Sequence, residues 1–208
     1  MKKIAVLVSG SGTNLAALIQ ACENKTIKNG KISLVVSSNP DAYALQRAKL
    51  ANIKTKTVDR QSFQSSRDFN KKLLEVLKEE NPDLVVLAGF MCILEAEVTR
   101  YFKNKMINVH PSLIPAFCGK GFYGLRVHEA ALKRGVKLAG ATVHFVNEVA
   151  DGGPIIMQKC VAVRPDDTPR SLQKRVMEEA EWVILPEVVS LICSEKIKIK
   201  NNITYIEV

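Results

Sequence analysis

Leu84-Val85-Val86-Leu87-Ala88 is apolar at every position. A strand with one face in water alternates apolar and polar residues, because successive side chains point to opposite faces. A run without alternation is covered on both sides, as in a parallel sheet with helices above and below, so this stretch decides the fold class. Its neighbours agree. Upstream, Lys3 to Val8, Lys31 to Ser37 and Ile53 to Val58 read as strands, separated by helices over Leu15 to Cys22 and Asp41 to Ala51. Phe69, Leu73, Val76 and Leu77 recur at helical spacing over Arg67 to Glu79. Downstream, a helix over Glu95 to Tyr101 leads to a strand at Met106 to Val109. Strand and helix alternating at this spacing predict an α/β protein, Rossmann-like, with a mostly parallel twisted sheet and helices on both faces.

After His110 the pattern changes. A loop rich in glycine and aromatics, Pro115 to Gly124, precedes a helix over Val127 to Arg134. Strands over Ala141 to Val146 and Ile155 to Val163 follow, separated by Asp151-Gly152-Gly153-Pro154. Thr168 as N-cap, with Pro169 at the first helical position, opens a long helix. Its residues Leu172, Val176, Val183 and Ile184 match one face, and Pro186 predicts a kink or restart. Lys196, Lys198 and Lys200 belong to a segment that reads as a solvated edge strand. With no internal repeat, low-complexity tract or linker, residues 1–208 read as one domain.

Composition narrows the function classes. The chain has 47% hydrophobic and 25% charged residues, ordinary values for a globular protein. The apolar run Ile4 to Val8 is too short for a signal peptide, and no run approaches a membrane span. Five cysteines, an odd number with no C-x-x-C pair, suggest neither a disulfide framework nor a thiolate metal site, and fit a reducing cytoplasm. The net charge of +9 suits nucleic acid or small phosphorylated and polycarboxylate ligands. No aromatic stripe interleaves the basic residues, so small anions are the expected partners, not nucleic acid.

Three places carry chemistry. In Ile107-Asn108-Val109-His110-Pro111, strand periodicity puts Asn108 and His110 on one side, and Pro111 ends the strand beside them. Open α/β sheets bind ligands at that carboxyl end. Ser9-Gly10-Ser11-Gly12-Thr13-Asn14 joins a strand to a helix whose free amides and dipole suit a phosphate, unless Thr13 or Asn14 simply caps the helix. It is not a dinucleotide fingerprint, since Leu15 takes the third glycine position and Ser37-Ser38-Asn39, not an acid, ends the second strand. Asp151 in its glycine turn is a turn former by itself; facing His110, it raises the imidazole pKa and makes an acid usable near neutrality. His144 reads equally as a core or a site residue, and His128 as a substrate contact or a packing residue. No close ligand spacing among the three histidines suggests a metal.

Taken together, Ser9 to Asn14, Leu87-Ala88-Gly89-Phe90-Met91, Ile107 to Pro115 and Ala141 to Pro154 resemble the folate-dependent glycinamide ribonucleotide formyltransferases of purine biosynthesis, over nearly the whole length. The resemblance implies 10-formyltetrahydrofolate as co-substrate, glycinamide ribonucleotide as acceptor, no metal, and a monomer or homodimer. It implies a catalytic trio of Asn108, His110 and Asp151, with protonated His110 and Asn108 donating to the formyl oxygen. Gly12, Thr13 and Asn14 match the segment that holds the ribonucleotide phosphate. Glu181 matches an acidic position at the ribonucleotide, with local spacing one residue longer than usual. Arg67 and Met91, Cys92, Ile93 and Leu94 match folate contacts, with Asn108 beside them. Two departures stand out. Cys92 replaces an arginine of many relatives, leaving a contact to the folate tail absent or supplied by a lysine elsewhere, and the loop Phe117 to Gly124 is longer than in some. The alternatives are a methionyl-tRNA formyltransferase, a formyltetrahydrofolate hydrolase, or a non-catalytic binder of phosphoribosyl or folyl groups.

Overall fold

The computed structural model describes residues 1–207. Its main sheet has seven strands in the order β3-β2-β1-β4-β5-β6-β7, made of β1 (Lys2–Val8), β2 (Gly30–Ser37), β3 (Lys54–Thr57), β4 (Leu84–Leu87), β5 (Met106–His110), β6 (Leu138–Phe145) and β7 (Ile155–Ala162). The uniformly apolar stretch is therefore the middle strand. β3 through β5 run parallel, while β6 pairs antiparallel with both β5 and β7.

Alternation along β1 shows the layering directly. Ile4, Val6 and Val8 enter one core with α1 (Thr13–Glu23), α2 (Tyr43–Leu50), α5 (Leu125–Arg134), α6 (Pro169–Val176) and α7 (Trp182–Cys193). Ala5 and Leu7 enter the other, against α3 (Ser66–Glu80) and α4 (Ala96–Tyr101). All five are 0% exposed, which is why this strand has no polar face.

Caps explain the helix starts. Ser65 accepts from the Asp68 amide at 3.1 Å and donates to its carboxylate at 2.7 Å, opening α3. Thr168 and Ser171 form a reciprocal capping box at α6. Beside it, Arg175 grips Asp167 with two bonds of 2.6 and 2.7 Å.

One reading of the sequence is corrected. The long helix does not break at Pro186, which lies inside α7; it widens into a π-helical turn over Met177–Glu181. Pro186 has no amide hydrogen, and its ring crowds the carbonyl four residues back, that of Trp182, so the irregularity falls just before that point. The wide turn stores one extra residue and rotates everything beyond it. Val183, seven residues after Val176, is consequently 42% exposed, and Ile184 takes the core position at 2%. The lysine-rich C-terminal segment is the solvated edge strand expected, though outside the main sheet. β8 (Ile197–Lys200) pairs with β9 (Ile203–Ile206) in a separate hairpin. Its turn residues Asn201 and Asn202 have φ of 52° and 62°, the pair of left-handed residues that a tight hairpin needs.

Candidate active site

Winding of the parallel sheet reverses between β1 and β4, and loops leaving the carboxyl ends of those strands part there to leave a crevice. One loop is the glycine turn. Gly12 holds φ of 72° as the N-cap of α1, and a Cβ on it would lie 2.6 Å from that of Ala44. No side chain caps the helix, so neither Thr13 nor Asn14 plays that part. The Thr13 hydroxyl turns to Met177 Sδ at 3.8 Å, and Asn14 donates to Glu181 Oε2 at 2.6 Å. First-turn amides with no side-chain cap, at the positive end of a helix dipole, make a cradle that can take an anion. Glu181 is 5% exposed, and burial raises its carboxyl to about 7 against the opposing bond from Asn14. The wide helical turn is what delivers Glu181 to this place.

The second loop carries Met91 to Leu94. Its Met91 amide donates to Ser9 Oγ at 2.9 Å, and Ser9 shares a 2.6 Å bond with Ser38, which ties this loop to the cradle. Buried Asn70 holds it from below, donating to Ile93 O at 3.2 Å and accepting from Glu95 N at 2.9 Å. Met91 and Ile93 are left 54% and 70% exposed, and Cys92 half-buried. Arg67 stands exposed in the first turn of α3, where a cation opposes the helix dipole; Asn70 is one turn along on the same side.

Asn108, His110 and Asp151 do come together, and His144 joins them. β5 pairs Asn108 directly opposite His144, so these two side chains meet, with Nδ2 3.3 Å from Nε2. Asp151, held at φ of 54°, places Oδ1 3.4 Å from Asn108 Nδ2 and 3.5 Å from His144 Nε2. Its Oδ2 lies 3.5 Å from His110 Nδ1 and accepts from the Gly119 amide at 2.8 Å. The turn can pass this close only because residue 153 is glycine: a Cβ there would stand 1.8 Å from Phe145 O. Thr142, opposite His110, accepts from Ile114 N at 3.1 Å and donates to Ser112 O at 2.7 Å, fixing the chain after the histidine.

Tautomers follow from the acceptors. His110 Nε2 is 2.9 Å from Phe117 O, and a carbonyl only accepts, so Nε2 carries a proton. Nδ1 is then the nitrogen turned to Asp151. His144 is fixed likewise by Nδ1 at 2.8 Å from Phe145 O, which turns its Nε2 to Asn108 and Asp151. Burial lowers the His110 pKa below its ordinary value; Asp151 and the Phe117 carbonyl pull it up, His144 pushes it further down, and burial wins. The expectation that Asp151 lifts His110 into an imidazolium at rest is thus corrected: His110 is 4% exposed, and water lost from around a cation costs more than one carboxylate at 3.5 Å restores. On Asp151 burial acts upward, but His144, His110 and the Gly119 amide together hold the carboxyl below its usual range. His128, 1% exposed on α5, is driven down to about 4 by burial and by His110.

A cavity of about 510 Å³ lies along the outside of α1 against α2 and α7. It touches Thr13 but none of the trio. Among the described residues no group of three or more His, Cys, Asp or Glu is arranged to hold a metal ion, and no helix is long and apolar enough to cross a membrane. Sequence reasoning missed Asn70 and the backbone groups of Phe117 and Gly119. Asn70 leaves one signal, an amide on the apolar face of an amphipathic helix; the backbone groups leave none.

An open α/β sheet whose winding switch carries a helix start able to hold an anion, with a buried imidazole flanked by a half-buried amide and carboxylate at the end of the next strand, β5, is the plan of a group-transfer enzyme acting on a carbonyl. The chain belongs to the formyl transferase family, whose model matches residues 2–189. It is 39% identical over 207 residues to the phosphoribosylglycinamide formyltransferase of Haemophilus influenzae, covering 100% of this chain and 94% of that protein. The Escherichia coli protein of the same name is 37% identical over 204 residues, 98% and 93% of the two chains. Glycinamide ribonucleotide transformylase 1 of Symbiobacterium toebii superposes with a TM-score of 0.93 at 39% identity, covering 100% of this chain and 95% of that one.

Proposed function

We propose that this chain moves the formyl group of 10-formyltetrahydrofolate to the amine of glycinamide ribonucleotide, giving formylglycinamide ribonucleotide and tetrahydrofolate, with residues 1–208 acting as one domain. The observation that carries this reading is the placement of the Asn108-His110-Asp151 cluster on the same rim as the Gly12–Asn14 cradle, with Met91–Leu94 between them. The cradle takes the ribonucleotide phosphate, and buried Glu181 with Asn14 takes polar groups of the same substrate. Met91, Cys92, Ile93 and Leu94 line the folate through backbone and apolar contacts, with Asn108 at its reactive end and Arg67 as a further folate contact. The +9 charge suits two anionic ligands.

The neutral amine attacks the formyl carbon, forming a C–N bond and pushing the carbonyl electrons onto oxygen. Asn108 Nδ2 leaves its long contacts of 3.3 and 3.4 Å to donate to that oxyanion. His110 Nδ1, unprotonated at rest, takes the proton from the attacking nitrogen, directly or through water. The imidazolium then sits between Asp151 and the oxyanion, two negative charges in place of one, which stabilises it where the resting site did not. It returns the proton to the folate nitrogen as the C–N bond to folate breaks. No enzyme nucleophile is involved, and the five cysteines stay free thiols, in keeping with a cytoplasmic protein acting as monomer or homodimer.

Folate release tests the reading with three acceptors: glycinamide ribonucleotide, charged initiator tRNA, and water alone. Turnover is expected with the first. Turnover with tRNA only, or equally fast with water, transfers the assignment to the corresponding relatives, and none at all leaves a binding protein.

A further inference from the structure

Arg60 lies outside every role given above, yet the fold builds it into the cleft rim. Its amide donates to Ser38 O at 3.0 Å, so its backbone is tied to the Ser38-Ser9 link beneath Met91. Its guanidinium donates from Nη1 to Phe63 O at 3.0 Å and lies 5.8 Å from the Phe69 ring centroid. Phe69 stacks on Phe90 at 6.3 Å, and Phe90 runs straight into the Met91–Leu94 segment. The positive charge reaches the Cys92 thiol, where it opposes the upward push of burial.

The nearest acid in sequence does not neutralise it. Asp59 spends its two oxygens on Gln61 N and Ser62 Oγ, both at 3.0 Å. No carboxylate among the described residues forms an ion pair with Arg60. A half-buried guanidinium, oriented by a carbonyl and an aromatic face but left without a counter-ion, has planar N–H donors available for a carboxylate. Beside it, Cys92 contributes no charge, and Met91 and Ile93 present an exposed apolar edge.

We propose that Arg60 is the specificity-determining cation for the γ-glutamyl tail of the folyl co-substrate, holding a tail carboxylate beside Cys92. This rests on the folyl reading of the Met91–Leu94 segment. Arg60 takes the place of both expected alternatives, a missing contact or a lysine: the fold presents an arginine whose fork matches a carboxylate in two bonds, where an ammonium would act as a point charge.

The test measures dissociation constants for a non-hydrolysable folate analogue bearing one glutamate or five γ-linked glutamates. Wild type is expected to prefer the longer tail, and Arg60→Met, which keeps an unbranched apolar stem over Phe69, to lose about tenfold of that preference, as fits one partly solvated charged hydrogen bond. Arg60→Lys is expected to keep part of it. An unchanged ratio in Arg60→Met, or no preference in wild type, overturns the proposal; equal weakening for both analogues does so too, since it marks a packing role. Tail preference that depends on Arg60, in a protein that fails to release folate with glycinamide ribonucleotide, sinks the formyl-transfer reading and leaves the Arg60 assignment standing.

Discussion

At the scale of residues, the site is a contest between burial and charge at His110. The ring is nearly out of water, a carboxylate faces Nδ1 at 3.5 Å, and burial prevails. A histidine with a depressed pKa is neutral above that value and fails as a proton acceptor below it. The rate under limiting substrate therefore falls as pH drops through a point below 6.5, the ordinary histidine value. Asp151→Asn removes the largest upward influence, so its acid limb moves to lower pH while the plateau drops by about 10²-fold for want of a partner to the imidazolium. A limb moving to higher pH would show that Asp151 is not what raises His110. Asn108 and His110 were legible as a pair because period two within one strand suffices to align them. His144 was not assignable, since its contact with Asn108 depends on antiparallel register between strands 36 residues apart. Asn70 was hidden for a similar reason: it acts on a loop 23 residues away.

At the scale of elements, the central parallel strands β1 and β4 were plain in the sequence because strands covered on both faces read as short, uniformly apolar runs, too short for helices and bounded by glycine and polar residues. The long C-terminal helix was less plain. A reading at 3.6 residues per turn assumes an uninterrupted period, and with it Val183 belongs to the buried face. The π turn breaks the period by one residue, so the core takes Ile184. A residue stored in that turn would account for the one-residue longer spacing that the resemblance implies around Glu181. If the surplus is stored there, deleting exposed Glu179 lets the turn relax to an α-helix with Val176 and Ile184 seven residues apart and still on one face. This deletion should leave helical circular dichroism intact and lower the melting temperature by only a few degrees, about 1 kcal/mol. Deleting Val188 within α7 should cost several times as much, and equal losses would mean that the turn stores nothing.

The whole molecule carries two buried titrating groups that oppose one another. His128 is driven to about 4 from 6.5, so the unfolded chain takes up a proton that the fold refuses. Its stabilising share is complete above 6.5 and is lost as pH falls towards 4, at most about 3 kcal/mol. Glu181 is raised to about 7 from 4.5, so its share is complete below 4.5 and is lost as pH rises towards 7. Between pH 4.5 and 6.5 the two slopes cancel in large part. Relative to wild type, His128→Phe should become less stable with rising pH across that window, and Glu181→Gln more stable. Urea midpoints at four or five pH values would show it, and parallel curves for all three proteins would contradict it.

One measurement bears on the centre of the account: formyl transfer to glycinamide ribonucleotide by wild type and His110→Ala, with the dissociation constant for the ribonucleotide taken on the same samples. If His110 accepts and returns the proton at the rim while the Gly12–Asn14 cradle binds the phosphate, the variant loses about 10²- to 10³-fold in turnover and keeps its affinity. Turnover within a few-fold of wild type, or an affinity that falls with the rate, would show that His110 is not the group on which the reaction runs.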